Sequence, residues 1–267
     1  MKIRTLTCFF DPKTDPFERT LSHLASFAEQ AARALQQAGF TLQTRRLATT
    51  PFPHWLNTSD PNEAIRIAQT WEQKAAAAGF AYLSLGCATP EFPAAYACIS
   101  PLLAATRNVF LTGLMTTSRH EVDLAAVRAC AEAIVENAPL EENGFANLRF
   151  AALANVPAGC PFLPAAYHAP GLPLSFALGF ECADTILQTF QTAHSLEEAR
   201  QSLLSALEGA AHQINSILAP LQTQFGLHFY GFDFSTAPYP QDWCSVGAAM
   251  EQLGIERLGT HGSLAAA

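Results

Sequence analysis

The sequence predicts an α/β protein in which repeated βα units build a mainly parallel sheet. Short apolar segments typical of strands alternate with segments whose apolar residues recur every three or four positions, as on one face of a helix. The same helix-to-strand junction also occurs twice, at Gly39-Phe40 and at Gly79-Phe80. Alternating strands and helices form parallel sheets with right-handed crossovers, which either close into a barrel or stay open between helical layers.

The order of the elements follows from the same signals. Strands are predicted at 3–10, 40–47, 81–86, 109–114, 148–153, 172–180 and 227–232. Capping sequences predict helices that begin at Asp15, Asp60, Ser118 and Ser195, and the last of these is expected to end at Pro220. A shorter helix is predicted around 92–105 and a closing helix from about 242 to 253.

Helical spacing predicts a buried face for four of these helices. After Asp60 it consists of Ile65, Ala68, Trp71 and Ala75, and after Ser195 it consists of Leu203, Leu207, Ala211, Ile214 and Leu218. The first helix is expected to bury one apolar stripe, formed by Phe17, Leu21, Leu24, Phe27, Ala28, Ala31 and Leu35. The helix after Ser118 is expected to bury another, formed by Leu124, Val127, Ala131, Ile134 and Val135.

Length and composition limit the class of protein. A chain of 267 residues can form one α/β domain, and a single domain over 1–267 is the preferred interpretation. Charged residues make up only 14% of the chain, so we expect much of the surface to be covered in a homo-oligomer. The net charge is −8 with no block of basic residues, which argues against nucleic acid or an anionic membrane as partner.

The cysteines indicate a reducing compartment. Seven of them are scattered along the chain without a C-x-x-C pair, so neither a disulfide framework nor a zinc ribbon is predicted. The apolar stretch at the N-terminus is too short for a signal peptide, and no run of about 18 apolar residues occurs. A cytoplasmic protein is therefore expected.

The segment from Asn155 to His168 is the strongest candidate for a functional loop. It follows a predicted strand, and its three prolines and Gly159 make it stiff and non-helical, with Cys160 at its centre. Cys160 is a candidate nucleophile or thiol centre, or else a small buried hydrophobe between prolines. Asn155 and Gly159 are candidate ligand-binding residues. His168 is a candidate base for the thiol, or a hydrogen-bonding prop.

Polar residues follow each predicted strand, and in a parallel sheet they would gather at one edge. They are Cys8 and Asp11, Thr49 and Thr50, Cys87 and Thr89, Thr116 to His120, Asn155 to His168, Glu181 to Asp184, and Asp233 to Ser235.

Among these residues, Glu181 is a candidate catalytic carboxylate. Asp184, Asp233 and Ser235 are candidate ligand-binding residues. The three carboxylates could act as acid and base or hold a hard cation, although no metal is assigned. Alternatively, Asp184 caps a single helical turn and Asp233 forms a turn. No nucleotide or zinc motif occurs, and the sequence identifies no cofactor.

Several segments resemble a prokaryotic family of unknown function, the PFL-like family or domain of unknown function 711. They are 155–168, 179–184, 233–238, 82–86 and 258–264. The long loop motif is the most specific of them, and the resemblance spans essentially the whole chain. It implies a barrel similar to that of pyruvate formate-lyase, with Cys160 on a loop at the barrel centre.

This chain departs from that pattern in two ways. No R-V-x-G-Y motif is present, so glycyl-radical chemistry is not expected. Family members are also usually longer, so either the chain is part of a longer barrel or a partner subunit supplies the rest.

Three functional hypotheses remain open at this point. The first is an enzyme that acts on a small polar metabolite at the carboxyl ends of the strands, with Cys160, Glu181 and His168 as catalytic residues. The second is a non-catalytic protein that binds or senses such a metabolite. The third is a structural subunit of an oligomer. The hypotheses differ in what they require of Cys160. An enzyme that uses this residue needs a reactive thiol, a binding protein needs only the shape and polar groups of the site, and a structural subunit needs an inert, buried sulfur.

Overall fold

A computed structural model describes residues 1–236, 245–252 and 257. The strands are β1 (Lys2–Phe10), β2 (Leu42–Thr49), β3 (Tyr82–Ala88), β4 (Val109–Leu114), β5 (Phe150–Leu153), β6 (Ser175–Glu181) and β7 (His228–Ser235). The α-helices are α1 (Phe17–Gln37), α2 (Pro61–Ala77), α3 (Ile99–Ala105), α4 (Leu124–Asn137), α5 (Ala183–Thr192), α6 (Leu196–Phe225) and α7 (Val246–Gln252). None of the helices among these residues is both long and apolar enough to span a bilayer.

All seven strands belong to one curled, mostly parallel sheet that forms a half-barrel, in the order β5-β4-β3-β2-β1-β6-β7. Strands β1 to β5 are parallel to one another. Strand β6 instead runs antiparallel to β1, so that Lys2 pairs with Glu181 and Phe9 with Ser175. Strand β7 is parallel to β6 and pairs Ser235 with Glu181. The carboxyl ends of β6 and β7 therefore lie at the edge where β1 begins.

The two faces of the sheet are covered differently. On one face, Leu6, Cys8 and Phe10 of β1 belong to the large apolar core that the helices complete. The other face is covered by the segment 155–173 and is called the loop-covered face below. The Thr7 hydroxyl donates to Pro161 O over 2.6 Å. This arrangement places the stiff proline loop against the sheet.

Two of the four predicted helix caps are present. Asp60 accepts hydrogen bonds from the backbone of Asn62 and Glu63, and Ser195 accepts one from Glu198. The caps predicted at Asp15 and Ser118 are wrong.

Asp15 instead accepts from the backbone N–H of Asp11, and α1 begins after Pro16 without a side-chain cap. Helix α4 begins after Asp123, whose carboxylate accepts from the N–H of Ala126. In both places another local hydrogen bond competes with the predicted cap.

The predicted buried face of α1 is confirmed, whereas that of α4 is wrong. Leu124 and Val135 are 78% and 71% exposed, and the buried residues of α4 are Ala126, Cys130, Ala133 and Asn137. The reason lies in β4, where a methyl group at Gly113 would come within 2.5 Å of Cys130 Sγ. Because the helix packs this closely on the sheet, it can turn only small side chains inward.

The last part of the described chain differs from prediction in two further ways. Helix α6 continues through Pro220 to Phe225, whose ring packs against Phe27 with centroids 5.6 Å apart. The helix ends at Gly226, which adopts the left-handed conformation. Helix α5 was not predicted. The predicted closing helix lies partly outside the described residues, which contain α7.

Candidate functional site

A cleft of about 610 Å³ opens at the carboxyl ends of β2 to β5 and is called the carboxyl-edge cleft below. Its walls come from the segments that follow each of these strands and from the end of the proline loop. The lining residues are Pro51, His54, Thr89, Glu91, Phe92, Leu114, Thr116, Thr117, Ser118, His120, Asn155, Val156, Pro157, Tyr167 and Pro170. This is the edge at which ligands bind in parallel α/β sheets.

Thr89 is a lining residue of this cleft whose polar side-chain atom is buried. It comes directly after β3 and is only 6% exposed. Its hydroxyl oxygen is buried and has no hydrogen-bond partner among the residues that the structure describes. Buried polar atoms in proteins almost always have a partner, and an unpaired one costs about 1–3 kcal/mol. A ligand with a complementary polar group would relieve this cost.

His120 and Asn155 form a strained pair on the cleft wall. Both adopt positive φ angles, 65° and 55°, which are uncommon for residues with a side chain. His120 Nδ1 lies 3.1 Å from Asn155 Oδ1, and the Asn155 N–H points to the Thr116 hydroxyl over 3.4 Å. An amide oxygen can only accept, so Nδ1 of His120 is the donor in this contact.

Gly159 allows the proline loop to pack against β7. Its φ angle is 91°, and a methyl group there would come within 2.9 Å of the Tyr230 ring. The N–H of Gly159 donates to Tyr167 O over 2.9 Å, and the Tyr167 hydroxyl donates to Val156 O over 2.8 Å. These bonds close the loop on itself and give Gly159 a structural role in it.

Cys160 lies outside the residues that line the cleft and is half-buried near β7. Burial raises the pKa of its thiol, and the nearby Asp233 carboxylate raises this pKa further. Its sulfur contacts Phe162 O at 3.9 Å. A raised pKa reduces the thiolate fraction at neutral pH, which is the opposite of what an activated nucleophile needs.

His168 is fully buried between the sheet and the loop. Its Nε2 atom lies 3.2 Å from Leu172 O, and its Nδ1 atom lies 3.3 Å from the Tyr230 hydroxyl. Burial lowers the pKa of the imidazole, which favours the neutral ring. Because both ring nitrogens have partners other than Cys160, the structure does not pair this histidine with the thiol.

The expectation that all candidate residues share one edge is wrong. Strands β6 and β7 run opposite to β1 to β5, so Glu181, Asp184, Asp233 and Ser235 lie at the other edge, away from the carboxyl-edge cleft. Sequence periodicity reports which residues are strand-like and says nothing about strand direction.

At that opposite edge the carboxylates have separate environments. Glu181 Oε1 lies 2.9 Å from Arg4 Nη1, although the two are not aligned as a hydrogen bond. Asp184 contacts the Met1 amino group at 2.5 Å. Partial burial acts to raise the pKa of Asp184, but this ammonium and the hydrogen bonds from Thr185 together lower the pKa overall.

Burial raises the pKa of Asp233. The Ser235 carbonyl accepts from the Cys182 N–H over 3.0 Å. Across the described ranges, no three His, Cys, Asp or Glu side chains are grouped so that they could hold a metal.

Of the residues selected from the sequence, Asn155 lines the cleft. Thr89 and the segment 116–120 had been assigned to this edge but not selected as site residues. His54, Glu91 and Phe92 were missed. Each of these residues lies a few positions after a strand, either within a short 3₁₀ turn or next to one, and no sequence motif identifies them.

Comparison with known proteins gives the family of the chain. A protein from Pyrobaculum islandicum is 30% identical over 264 residues, which cover 92% of this chain and 56% of the relative. One from Sulfurisphaera tokodaii is 24% identical over 280 residues, with coverages of 100% and 61%. One from Acetivibrio thermocellus is 25% identical over 249 residues, with coverages of 86% and 54%.

All three are named UPF0210 protein, a name that states no activity. The chain spans a little more than half the length of these relatives. The model of the family described as uncharacterised ACR (DUF711) matches residues 1–267. Because this match covers the whole chain, the chain belongs to the DUF711 family of uncharacterised proteins.

Proposed function

We propose that this protein binds a small polar metabolite in the carboxyl-edge cleft. The observation that carries the proposal is the buried, unpartnered hydroxyl of Thr89 on the cleft wall. The strained pair of His120 and Asn155 supports it, because such backbone conformations cluster at ligand sites. The volume of about 610 Å³ also falls within the range of about 300–1,000 Å³ that is typical of small-molecule sites.

A matched pair of variants tests this proposal. Thr89→Val keeps the side-chain shape and removes the hydroxyl, whereas Ser100→Ala removes another buried, unpartnered hydroxyl that does not line the cleft. Small polar molecules are screened by ligand-observed NMR, and the affinity of each hit is measured by calorimetry. We expect Thr89→Val to weaken binding by about tenfold, because that corresponds to one lost hydrogen bond. We expect Ser100→Ala to leave the affinity unchanged. Hits that bind both variants as tightly as the wild type would contradict the proposal.

An enzyme acting on the same metabolite is the second candidate. His120 supports it, because Nδ1 donates to Asn155, so that in the neutral ring Nε2 can accept a proton from a ligand. In that case, His120→Gln would keep the binding of an identified ligand and lose its conversion. The catalytic roles of Cys160, Glu181 and His168 stay predictions.

Four further proposals come from the sequence. The half-barrel is part of a barrel like that of pyruvate formate-lyase, which the curled sheet and the cysteine-bearing loop on one face support. The chain is a single domain, which its large apolar core supports. It forms a homo-oligomer, which the exposed apolar side chains of α4 support. It is cytoplasmic, which the unpaired thiols of the described cysteines support.

A further inference from the structure

Among the described residues that line the carboxyl-edge cleft, one is a carboxylate and none carries a fixed positive charge. Glu91 lines it together with the imidazoles of His54 and His120, and none of the described lining residues is Lys or Arg. The segments 237–244, 253–256 and 258–267, of which the structure describes nothing, contain no Lys or Arg in their sequence. The cleft therefore lacks the groups with which proteins usually bind phosphates and carboxylates.

Glu91 is available to a ligand. Its side chain is exposed at the cleft, and the ion pairs among the described residues do not include it. The residues after β3 thus supply a carboxylate at Glu91 and a buried hydroxyl at Thr89, two positions apart.

An aromatic ring lies next to this carboxylate in the sequence. Phe92 is 39% exposed, and its ring meets the His54 ring edge to face, with centroids 5.1 Å apart. An exposed aromatic ring attracts organic cations through its π face. Leu114, Val156 and Pro157 add apolar surface to the same cleft.

We propose that the ligand is a small organic ammonium compound with an apolar body. Glu91 pairs with the ammonium group beside the Phe92 ring, and Thr89 bonds a polar group on the ligand. The inference rests on the proposed binding function and adds the chemical class of the ligand. Arg119 is the cation nearest to the cleft in the sequence, between the lining residues Ser118 and His120, but it does not itself line the cleft.

The test compares three probes of similar size and different charge. These are 2-phenylethylamine, 2-phenylethanol and 3-phenylpropionate, and calorimetry measures the affinity of each for the whole chain. We expect the amine to bind about tenfold more tightly than the alcohol and the carboxylate to bind most weakly. Glu91→Gln should abolish the preference for the amine. Glu121→Gln removes the same charge from a nearby residue that does not line the cleft, so it should keep the preference.

Three outcomes would overturn the inference. If the carboxylate binds best and Arg119→Gln abolishes its binding, the ligand is an anion and the binding function stands. If Glu91→Gln leaves the preference for the amine unchanged, Glu91 does not recognise the charge. If no probe binds, the ammonium class is wrong. The proposed binding function fails only if, in addition, the metabolite screen finds no ligand whose affinity depends on Thr89. Melting temperatures of each variant confirm that it is folded.

Discussion

The imidazole of His168 illustrates how burial determines the chemistry of a single residue. Leu172 O can only accept, so Nε2 carries the proton, and Nδ1 then accepts from the Tyr230 hydroxyl. In a protonated ring, Nδ1 would carry a second proton and would need an acceptor. The Tyr230 hydroxyl could accept this proton only after it reoriented. The neutral ring satisfies both contacts, which agrees with the lowered pKa.

This protonation state predicts a pH dependence of stability. The pKa of His168 is lower in the folded state than in the unfolded chain, where it is about 6.5. As the pH falls through about 6.5, the unfolded chain therefore takes up a proton that the folded protein does not, and the free energy of unfolding decreases. Above that pH both states are neutral and the contribution of His168 vanishes.

The variant His168→Gln tests this dependence, because glutamine offers a donor and an acceptor and does not titrate. We expect it to unfold more easily than the wild type at pH 7.5, by about 1–3 kcal/mol. The loss of stability between pH 7.5 and pH 5.5 in urea titrations should nevertheless be smaller in the variant. His212→Gln, at an exposed position of α6, is the control and should keep the wild-type slope. Equal slopes in all three proteins would rule out the explanation.

At Cys160 the environment raises a pKa, whereas at His168 it lowers one. The sequence makes it prominent because it lies between Gly159 and Pro161 in a stiff loop. Its surroundings raise the thiol pKa, through burial first and then through Asp233. A prominent cysteine in a rigid loop is thus not by itself an activated one.

At the scale of elements, helix α4 shows that the spacing of apolar residues does not by itself determine which of them are buried. Its apolar residues recur at helical spacing, yet its largest ones face away from the sheet. Close packing of Cys130 over Gly113 leaves room for small side chains only. The exposed side of α4 is therefore an apolar surface on the outside of the described fold.

Substitutions on the two sides of α4 distinguish these environments. Leu124→Gln and Val135→Gln should each change the free energy of unfolding by less than about 0.5 kcal/mol, because both side chains are exposed. Ala133→Gln, on the buried side, should cost about 1–3 kcal/mol through overpacking. If the homo-oligomer uses this surface, the double variant of Leu124 and Val135 should sediment as a smaller species. A large loss of stability in Leu124→Gln measured at low protein concentration would refute this assignment.

At the scale of the whole molecule, the proline loop and the sheet depend on each other. The Phe162 ring packs against β6 where Gly179 leaves space. A methyl group at Gly179 would lie 2.7 Å from Phe162 Cζ and 3.0 Å from Thr5 Cγ2. On the same face, the Ser84 hydroxyl donates to Ala166 O over 2.7 Å. The loop is thus held to β1, β3 and β6 at once.

This interdependence predicts coupling between Gly179 and Phe162. Gly179→Ala should destabilise the protein by about 1–3 kcal/mol. Combining it with Phe162→Leu should cost less than the sum of the two single changes, by about 0.5–3 kcal/mol in a double-mutant cycle measured by urea unfolding. Gly209→Ala is the control, because its site in α6 is open and alanine favours a helix. Additive effects would show that the loop does not dock on the sheet at Gly179.

The amino-acid sequence determined the kinds of element and their order. The α/β class, the seven strands and the buried stripe of α1 were predicted from periodicity, and the caps at Asp60 and Ser195 from local hydrogen-bonding chemistry. These features depend on residues close together in the chain, so local patterns contain them.

The tertiary structure decided the direction of β6 and β7, the inward side of α4 and the composition of the cleft. Whether β6 lies parallel or antiparallel to β1 depends on the route of the long segment between β5 and β6 across the loop-covered face. That route is set by contacts between residues far apart in sequence, such as Thr7 with Pro161. The same reversal places Glu181 and Asp233 away from Asn155, because the carboxyl ends of antiparallel strands lie at opposite edges of the sheet.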